Sequence, residues 1–483
     1  MNSIRERIAS LPIERRRFYE LLILAALVMV PLVLGSSSTI FNDGDVSWHV
    51  AAGRWIIEHR AVPSVDPFSY TFGGKPWVAF EWLSQVIYAT AFDLAGYGGL
   101  AAIVSLALVL LNVIVMANAR RFLPPWAVAA LVLAMNAVLV PFVFARPHVL
   151  AWPLLALWLW VLMDARERRQ PPFLGWALLM CLWINLHGSW ALGMVIAAAF
   201  GLEAMIESRW DRRQFIGWLL FGLAALAAAA VNANGLAGLL HPLKVSQFEH
   251  LPLIEEWRPS SVKVTPVFFG VLALAVAIAF WRRARLGVVR ILILAGMVAL
   301  AFHQVRHQAP LAIVAAMLLP QALRARDGER ETLFGDAYER RLVTMFGALG
   351  VAALIAFRMT LPIVPEENGS NPRGLLAAVP QDLRARPVLN GYSFGGPLIL
   401  HGIKPYIDGR SDMYGDAFVA DYKKITDGDP VAVKRAIERW DIAWAMTPNK
   451  SVKLIALLDK LPGWRRIHAD KVGVIHVRDW PAA

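Results

Sequence analysis

The sequence is short of charge. Only 17% of its 483 residues are Asp, Glu, Lys or Arg, where soluble globular chains carry about 25%. Cysteine is nearly absent: Cys181 stands alone, which excludes an internal disulfide framework and a zinc site built from cysteines. Acids are scarcer than bases, with 36 Asp and Glu against 48 Lys and Arg and a formal net charge of +12. Such an excess fits nucleic-acid binding only if it is clustered, so its distribution decides. What is abundant is apolar. Hydrophobic residues make up 57% of the chain and the mean hydropathy is +0.50. A soluble fold would have to bury several apolar runs near or beyond 18 residues, which soluble helices rarely contain. The composition describes a polytopic membrane protein.

A bilayer core of about 30 Å takes about 20 apolar residues per helix. Apolar runs of that kind lie near 19–38, 97–118, 125–145, 148–163, 172–186, 189–206, 214–233, 266–281, 289–303, 309–323 and 342–362, about eleven spans. The fifth and sixth are short and separated by Asn185, His187, Gly188 and Ser189, the mark of bent or broken helices. No internal repeat is visible.

Arginines fall in alternate loops: Arg15 to Arg17, Arg120 and Arg121, Arg166 to Arg169, Arg209 to Arg213, Arg282 to Arg290, and Arg324 to Arg341. The positive-inside rule makes that side cytoplasmic. Much of the positive charge is therefore topological bias, and nucleic acid is not an expected partner. The N-terminus is expected in the cytoplasm, with the first apolar segment an anchor that lacks a clear cleavage site. Three segments then lie outside: the loop 39–96, the loop 235–265, and everything after about Pro362. This divides the chain into a transmembrane domain, 1–362, and an extracytoplasmic α/β domain, 363–483. Within the latter, Pro387–Asn390, Pro405–Asp408, Ile442–Thr447 and Val472–Val477 read as strands. Asp429–Trp440 and Ser451–Leu461 read as helices, with Asp429 and Ser451 able to cap them.

The first external loop is the most informative segment. It opens Phe41-Asn-Asp-Gly-Asp-Val-Ser-Trp-His49, directly after a membrane exit. Asp43 and Asp45 can converge on one divalent cation, magnesium or manganese, or one can position the other as a general base. In the plainer reading Asp43 caps the following helix. A helical segment runs to Arg60, followed by Asp66-Pro-Phe-Ser-Tyr-Thr71, Gly73-Gly-Lys-Pro-Trp77 and Phe80-Glu-Trp-Leu-Ser84.

This order resembles the first external loop of GT-C glycosyltransferases, multispanning enzymes that use lipid-linked sugar donors, and is most similar to the bacterial RgtA/B/C/D-like kind. In that superfamily an acidic motif follows the first span, with a helix parallel to the membrane behind it. Asp45 falls where the first acid of the family's Asp-Glu pair stands, and Gly74-Lys-Pro76 resembles its positively charged turn. The sequence departs from the pattern in two places. Val46 replaces the second acid, and Phe80-Glu-Trp82 stands where a basic turn is usual, so that Glu81 brings an added negative charge. Asp43 can supply the missing carboxylate. The resemblance implies an α-helical GT-C-like membrane fold and transfer from a polyprenyl-phosphate sugar to a glycan, lipid or protein acceptor, with Asp45 and Asp43 as catalytic candidates.

Other polar residues should gather at the same outer face: Arg146 and His148, Asn185 and His187, Asn232 and Asn234, Glu255 and Glu256, and His303, Arg306 and His307. Ionisable groups at a membrane boundary are functional candidates. His49, Glu81, Arg146, His148, His187, Glu256, Arg306 and His307 are thus the expected substrate-binding set, with Arg146 and Arg306 suited to phosphate oxygens. His303, Arg306 and His307 share a face if their helix continues, although the arginine between them argues against zinc. The bland alternatives are a snorkelling arginine and a satisfied packing histidine. In the C-terminal region, Asp408, Arg410 and Asp412 alternate with small residues. They read as a salt-bridged turn or as a loop over the membrane site. The Tyr392–Gly396 run loosely resembles the aromatic–Gly acceptor-side motif of oligosaccharyltransferase subunits.

The leading expectation is a bacterial inner-membrane glycosyltransferase acting on the extracytoplasmic face. Two rivals are a flippase for a polar lipid, which inverted repeats would favour, and a non-catalytic envelope assembly partner.

Overall fold

The computed structural model describes residues 30, 32–33, 35–245, 247–248, 257–324 and 337–479. Most of the first expected span, residues 325–336, and Glu255 with Glu256 lie outside the described residues. The chain forms a bundle of apolar helices with a small α/β region at one end.

The first external loop forms α1, Asp45–His59. Helix α2, Trp82–Ala119, starts 15 residues earlier than the apolar run near 97–118 suggests. Its first part is a separate helix: Ala95 (φ −148°) and Gly96 (φ 56°) break the rod, and a positive φ is where glycine is at home. Then come α3, Pro125–Leu139; α4, Pro147–Glu167; α5, Leu178–Leu186; α6, Trp190–Glu207; and α7, Arg212–Ala230. Proline at the first turn starts α3 and α4, where no backbone N–H is needed. Asp211 caps α7 by accepting the Gln214 N–H at 3.0 Å. His187 is extended and separates α5 from α6, so the expected break is a full turn between two helices. Helices α8, Gly235–Val245; α9, Pro266–Trp281; α10, Val288–His303; α11, Gln308–Ala322; and α12, Ala337–Thr360 complete this part.

Among the described residues, five helical stretches are long and apolar enough to cross a membrane, including Trp82–Ala119, Pro147–Glu167 and Arg212–Ala230. Their packed faces share one core containing Leu100, Leu108, Trp158, Leu159 and Val314. Leu219, Leu223 and Leu226 of α7 and Leu274 and Val276 of α9 lie exposed. Such apolar surface suits hydrocarbon, not water. Interhelical polar ties replace the hydrophobic effect, which is weak between helices in lipid. Asn136 Nδ2 donates to Asn112 Oδ1 at 3.0 Å, and Asn118 Nδ2 to the Met317 carbonyl at 2.9 Å. At the arginine-rich end, Arg166 and Arg290 both pair with Glu203 (3.4 and 2.9 Å).

The C-terminal region holds a four-stranded sheet of β1, Val388–Asn390; β2, Trp444–Pro448; β3, Trp464–Ala469; and β4, Gly473–Arg478, in the order β1-β2-β4-β3. The first pair is parallel and the others antiparallel. Successive residues alternate between two cores, as a period of two requires: Val388 and Trp444 face one, Leu389 and Ala445 the other. Three expected strands are present. The fourth, Pro405–Asp408, is not a strand, because side chains satisfy its backbone: Tyr406 N–H donates to Asn390 Oδ1 and Thr71 Oγ1 donates to the Tyr406 carbonyl. Of the two expected helices, Pro430–Trp440 is capped by Asp429, whereas Ser451 makes no side-chain cap to Val452–Leu458.

Candidate active site

The acidic pair lies at the end of the bundle that meets the C-terminal region. Asp43 is not the N-cap of α1. Gly44 occupies that position, and Asp43 Oδ1 instead accepts the Asp45 N–H at 2.8 Å, holding the two acids in one tight turn. Asp45 is the first residue of α1, and His49 follows one turn later on the same face.

Arg146 meets both acids. Its Nη1 lies 2.9 Å from Asp43 Oδ2 and its Nη2 lies 3.0 Å from Asp45 Oδ2. The residue before a proline is pushed to extended backbone, and Arg146 (φ −127°, ψ 156°) precedes Pro147. Ala145 N–H donates to the Ile40 carbonyl at 2.9 Å, and Tyr88 Oη donates to the Arg146 carbonyl at 2.8 Å. The arginine is thus anchored on three elements.

Behind the acids sits Glu81, at the N-terminus of α2. His187 Nε2 is 3.5 Å from its Oε1 and His49 Nε2 is 3.9 Å from its Oε2. Ser189 N–H donates to His187 Nδ1 at 3.1 Å, which leaves the ring proton on the Nε2 that faces Glu81. Burial pushes the Glu81 carboxyl up to about 8; Asp412 and Asp45 push the same way, while Arg146 and Arg306 oppose. Burial likewise holds His49 and His187 well below the usual histidine range, reinforced by surrounding arginine and histidine charge. Burial thus favours the protonated form of Glu81 and the uncharged form of the two imidazoles beside it.

The remaining expected residues divide. His148 donates Nε2–H to the Phe142 carbonyl at 2.8 Å, and its ring centroid lies 6.3 Å from that of His187. The Arg306 guanidinium stacks 4.1 Å from the Trp257 ring centroid. His307 lies 3.1 Å from Gln304 Oε1, and burial beside Arg306 and His303 lowers its pKa to about 4. The helical spacing expected for His303, Arg306 and His307 does not hold, because α10 ends at His303 and Gln304 is extended. Asn185 and Asn234 serve structure: Asn185 accepts from Trp82 Nε1 at 2.6 Å and Asn234 donates to the Ala79 carbonyl at 3.2 Å. Glu256 is outside the described residues.

The C-terminal region closes over the acidic turn through glycines. A β-carbon on Gly396 would collide with the Gly44 carbonyl, and one on Gly409 with Asp45 Oδ1. Asn368 Nδ2 donates to Asn42 Oδ1 at 2.7 Å, and Asn371 Nδ2 to the Phe41 carbonyl at 2.8 Å. Asp412 Oδ2 lies 3.4 Å from His241 Nε2, and burial raises the Asp412 carboxyl. Arg410 is fixed beneath by Asp66 and Asp408, at 2.6 Å each. The Asp408–Asp412 segment is thus a salt-bridged turn, and its Gly409 lies against Asp45. Sequence reasoning missed the closures by Gly409 and Gly396 and the pairing of Asp66 with Arg410. No signal in the sequence pointed to the last, because Asp66 and Arg410 lie 344 residues apart.

A divalent ion does not fit the acidic pair as it stands. Asp43 has both oxygens engaged, and the guanidinium occupies the position between the carboxylates. Among the described residues no group of three or more His, Cys, Asp or Glu is arranged to hold a metal.

No protein-family model matches the chain, and no curated protein does. Solved structures do. The archaeal oligosaccharyltransferase AglB of Archaeoglobus fulgidus, in complex with an inhibitory peptide and a dolichol-phosphate, matches over 92% of this chain and 71% of its own. The identity is 12% and the TM-score 0.58. A structure of the Archaeoglobus fulgidus oligosaccharyltransferase tethered to an acceptor peptide by a disulfide matches at 12% identity over 92% and 70%, with a TM-score of 0.47. The chain shares its fold with the archaeal oligosaccharyltransferase AglB.

Proposed function

We propose that this protein is a glycosyltransferase that moves a sugar from a polyprenyl-phosphate carrier to a cell-envelope acceptor at the extracytoplasmic face of the bacterial inner membrane. The observation that carries this is the Asp43–Asp45 turn, bridged by Arg146 and approached by Gly396 and Gly409 of the C-terminal region. AglB, of the same fold, was solved with a dolichol-phosphate and a peptide. A lipid-phosphate donor and a water-side acceptor suit the same arrangement here. About eleven spans, a transmembrane domain of 1–362 and an extracytoplasmic domain of 363–483 belong to this reading, with the N-terminus cytoplasmic.

In the reaction, Asp45 takes the proton of the acceptor hydroxyl as that oxygen attacks the anomeric carbon. The bond from that carbon to the phosphate oxygen breaks, and its electron pair leaves on the lipid phosphate. Arg306 supplies positive charge to that phosphate. His148, His187, His49, His307 and the neutral Glu81 line the approach. Glu81 can donate a hydrogen bond to a sugar or phosphate oxygen without repelling it.

The test is purified protein offered a panel of polyprenyl-phosphate sugars, together with the glycan and lipid profile of a deletion strain. A missing sugar supports transfer. Accumulated unflipped lipid would mean transport, and an unchanged glycan with a lost envelope complex would mean a scaffold.

A further inference from the structure

We infer that the guanidinium of Arg146 takes the place of a divalent cation at the Asp43–Asp45 pair, making it the built-in positioning charge of a metal-independent site. The inference rests on the proposed glycosyltransferase reading for its consequence, but its geometry stands alone. Two carboxylates in one turn repel each other and need a counter-charge. Here it comes from one planar fork whose two terminal nitrogens reach one oxygen of each acid, at 2.9 and 3.0 Å. That is the arrangement in which arginine, unlike lysine, binds two oxygens at once.

The carboxylates are also committed in ways that a metal would have to undo. Asp43 uses Oδ1 for the Asp45 N–H and Oδ2 for Arg146. Asp45 gives Oδ2 to Arg146, while its Oδ1 lies where a β-carbon on residue 409 would fall, a position open only because that residue is glycine. A hard cation such as Mg2+ demands several oxygens in near-octahedral geometry. His49 and His187 face Glu81 instead. Arg146 is no mobile surface arm that a metal could push aside. Pro147, the Ala145–Ile40 hydrogen bond and Tyr88 fix its backbone, and its side chain is only 18% exposed.

The consequence is that Arg146 aligns the acids without touching the reacting atoms. Removing it leaves two partly buried carboxylates without that counter-charge, a pair that a divalent cation can bind.

The experiment uses full-length protein in nanodiscs, stripped with EDTA, with Mn2+ as the probe and electron paramagnetic resonance as the readout. Wild type is expected to bind no Mn2+ in the micromolar range, and Arg146→Ala to take up one equivalent, which the added Asp43→Asn change removes. Arg146→Lys keeps the charge but cannot bridge both acids. It is expected to stay folded, bind no Mn2+, and transfer about 10-fold to 100-fold more slowly at unchanged KM, since misplacement of this kind costs about that much. Stoichiometric Mn2+ binding by wild type that Asp43→Asn abolishes would overturn the inference. So would a folded Arg146→Ala that takes up none. Binding is read without any donor sugar, so a failure to find transfer leaves this result standing and counts only against the proposed function.

Discussion

Gly409 rests directly on Asp45: a β-carbon at Gly409 would overlap Asp45 Oδ1 and lie 2.9 Å from Trp48 Nε1. The glycine comes from the C-terminal region and the aspartate from the first external loop, so the two parts are in register at this contact. Gly409→Ala is expected to fold, because its surroundings are held by Asp408 and Arg410, yet to displace either the loop or the carboxylate. Transfer should fall by about 100-fold, as misplacement by about 1 Å can cost. Parallel measurement of transfer rate and unfolding temperature checks this; unchanged transfer by the alanine variant would show that the contact is incidental.

Arg410 should govern stability instead of chemistry. Its guanidinium pairs with Asp66 and Asp408, all with side chains 1% exposed or less. It also lies 5.2 and 4.8 Å from the Phe68 and Trp77 ring centroids, and Tyr414 Oη donates to Asp408 Oδ2 at 2.7 Å. Arg410→Met strands two buried carboxylates, a loss of about 3–5 kcal/mol. Limited proteolysis and thermal unfolding should report early opening of the C-terminal region, an effect that Arg410→Lys should only partly repair, because lysine lacks the fork.

Glu81 predicts a pH dependence of definite sign. Burial raises its pKa from an ordinary 4.5 to about 8. Between those values the folded state holds a proton that the unfolded state has released, so its contribution to stability falls as pH rises through that window and levels off above it. The buried histidines His49 and His187 act oppositely, losing stability as pH falls below the ordinary histidine range. Comparison with Glu81→Gln isolates the carboxyl. The unfolding temperature of the variant should exceed that of wild type by a margin that grows from pH 5 to about 8. A margin independent of pH would show that Glu81 is ionised throughout.

Features carried by short spacing are legible in the sequence, and those made by distant closure are not. The Asp43–Asp45 turn, the apolar helices and the Asp429 cap can be read because each depends on neighbours within a few residues. Arg146 stands at the expected boundary, but its pairing with Asp43, 103 residues away, is not legible in the sequence. Strand β3 escapes sequence reading because its polar Trp464–Ala469 run is an edge with a bulge between Arg466 and His468. The grouping of His303, Arg306 and His307 fails on one extended residue, Gln304, which no spacing reveals. Glu81 reads from the sequence as an added negative charge. Its neutrality comes from burial by elements spread over the chain, a property of the assembled fold.

In the proposed function Asp45 takes the acceptor proton, and that proposal turns on this role. The direct measurement is transfer by purified Asp45→Asn with the polyprenyl-phosphate donor that wild type uses, alongside donor binding and unfolding temperature. Asparagine preserves shape and cannot accept the proton, so the rate should fall by about 10²–10⁴-fold while donor binding and stability are retained. A folded Asp45→Asn protein that transfers sugar at the wild-type rate would contradict the account.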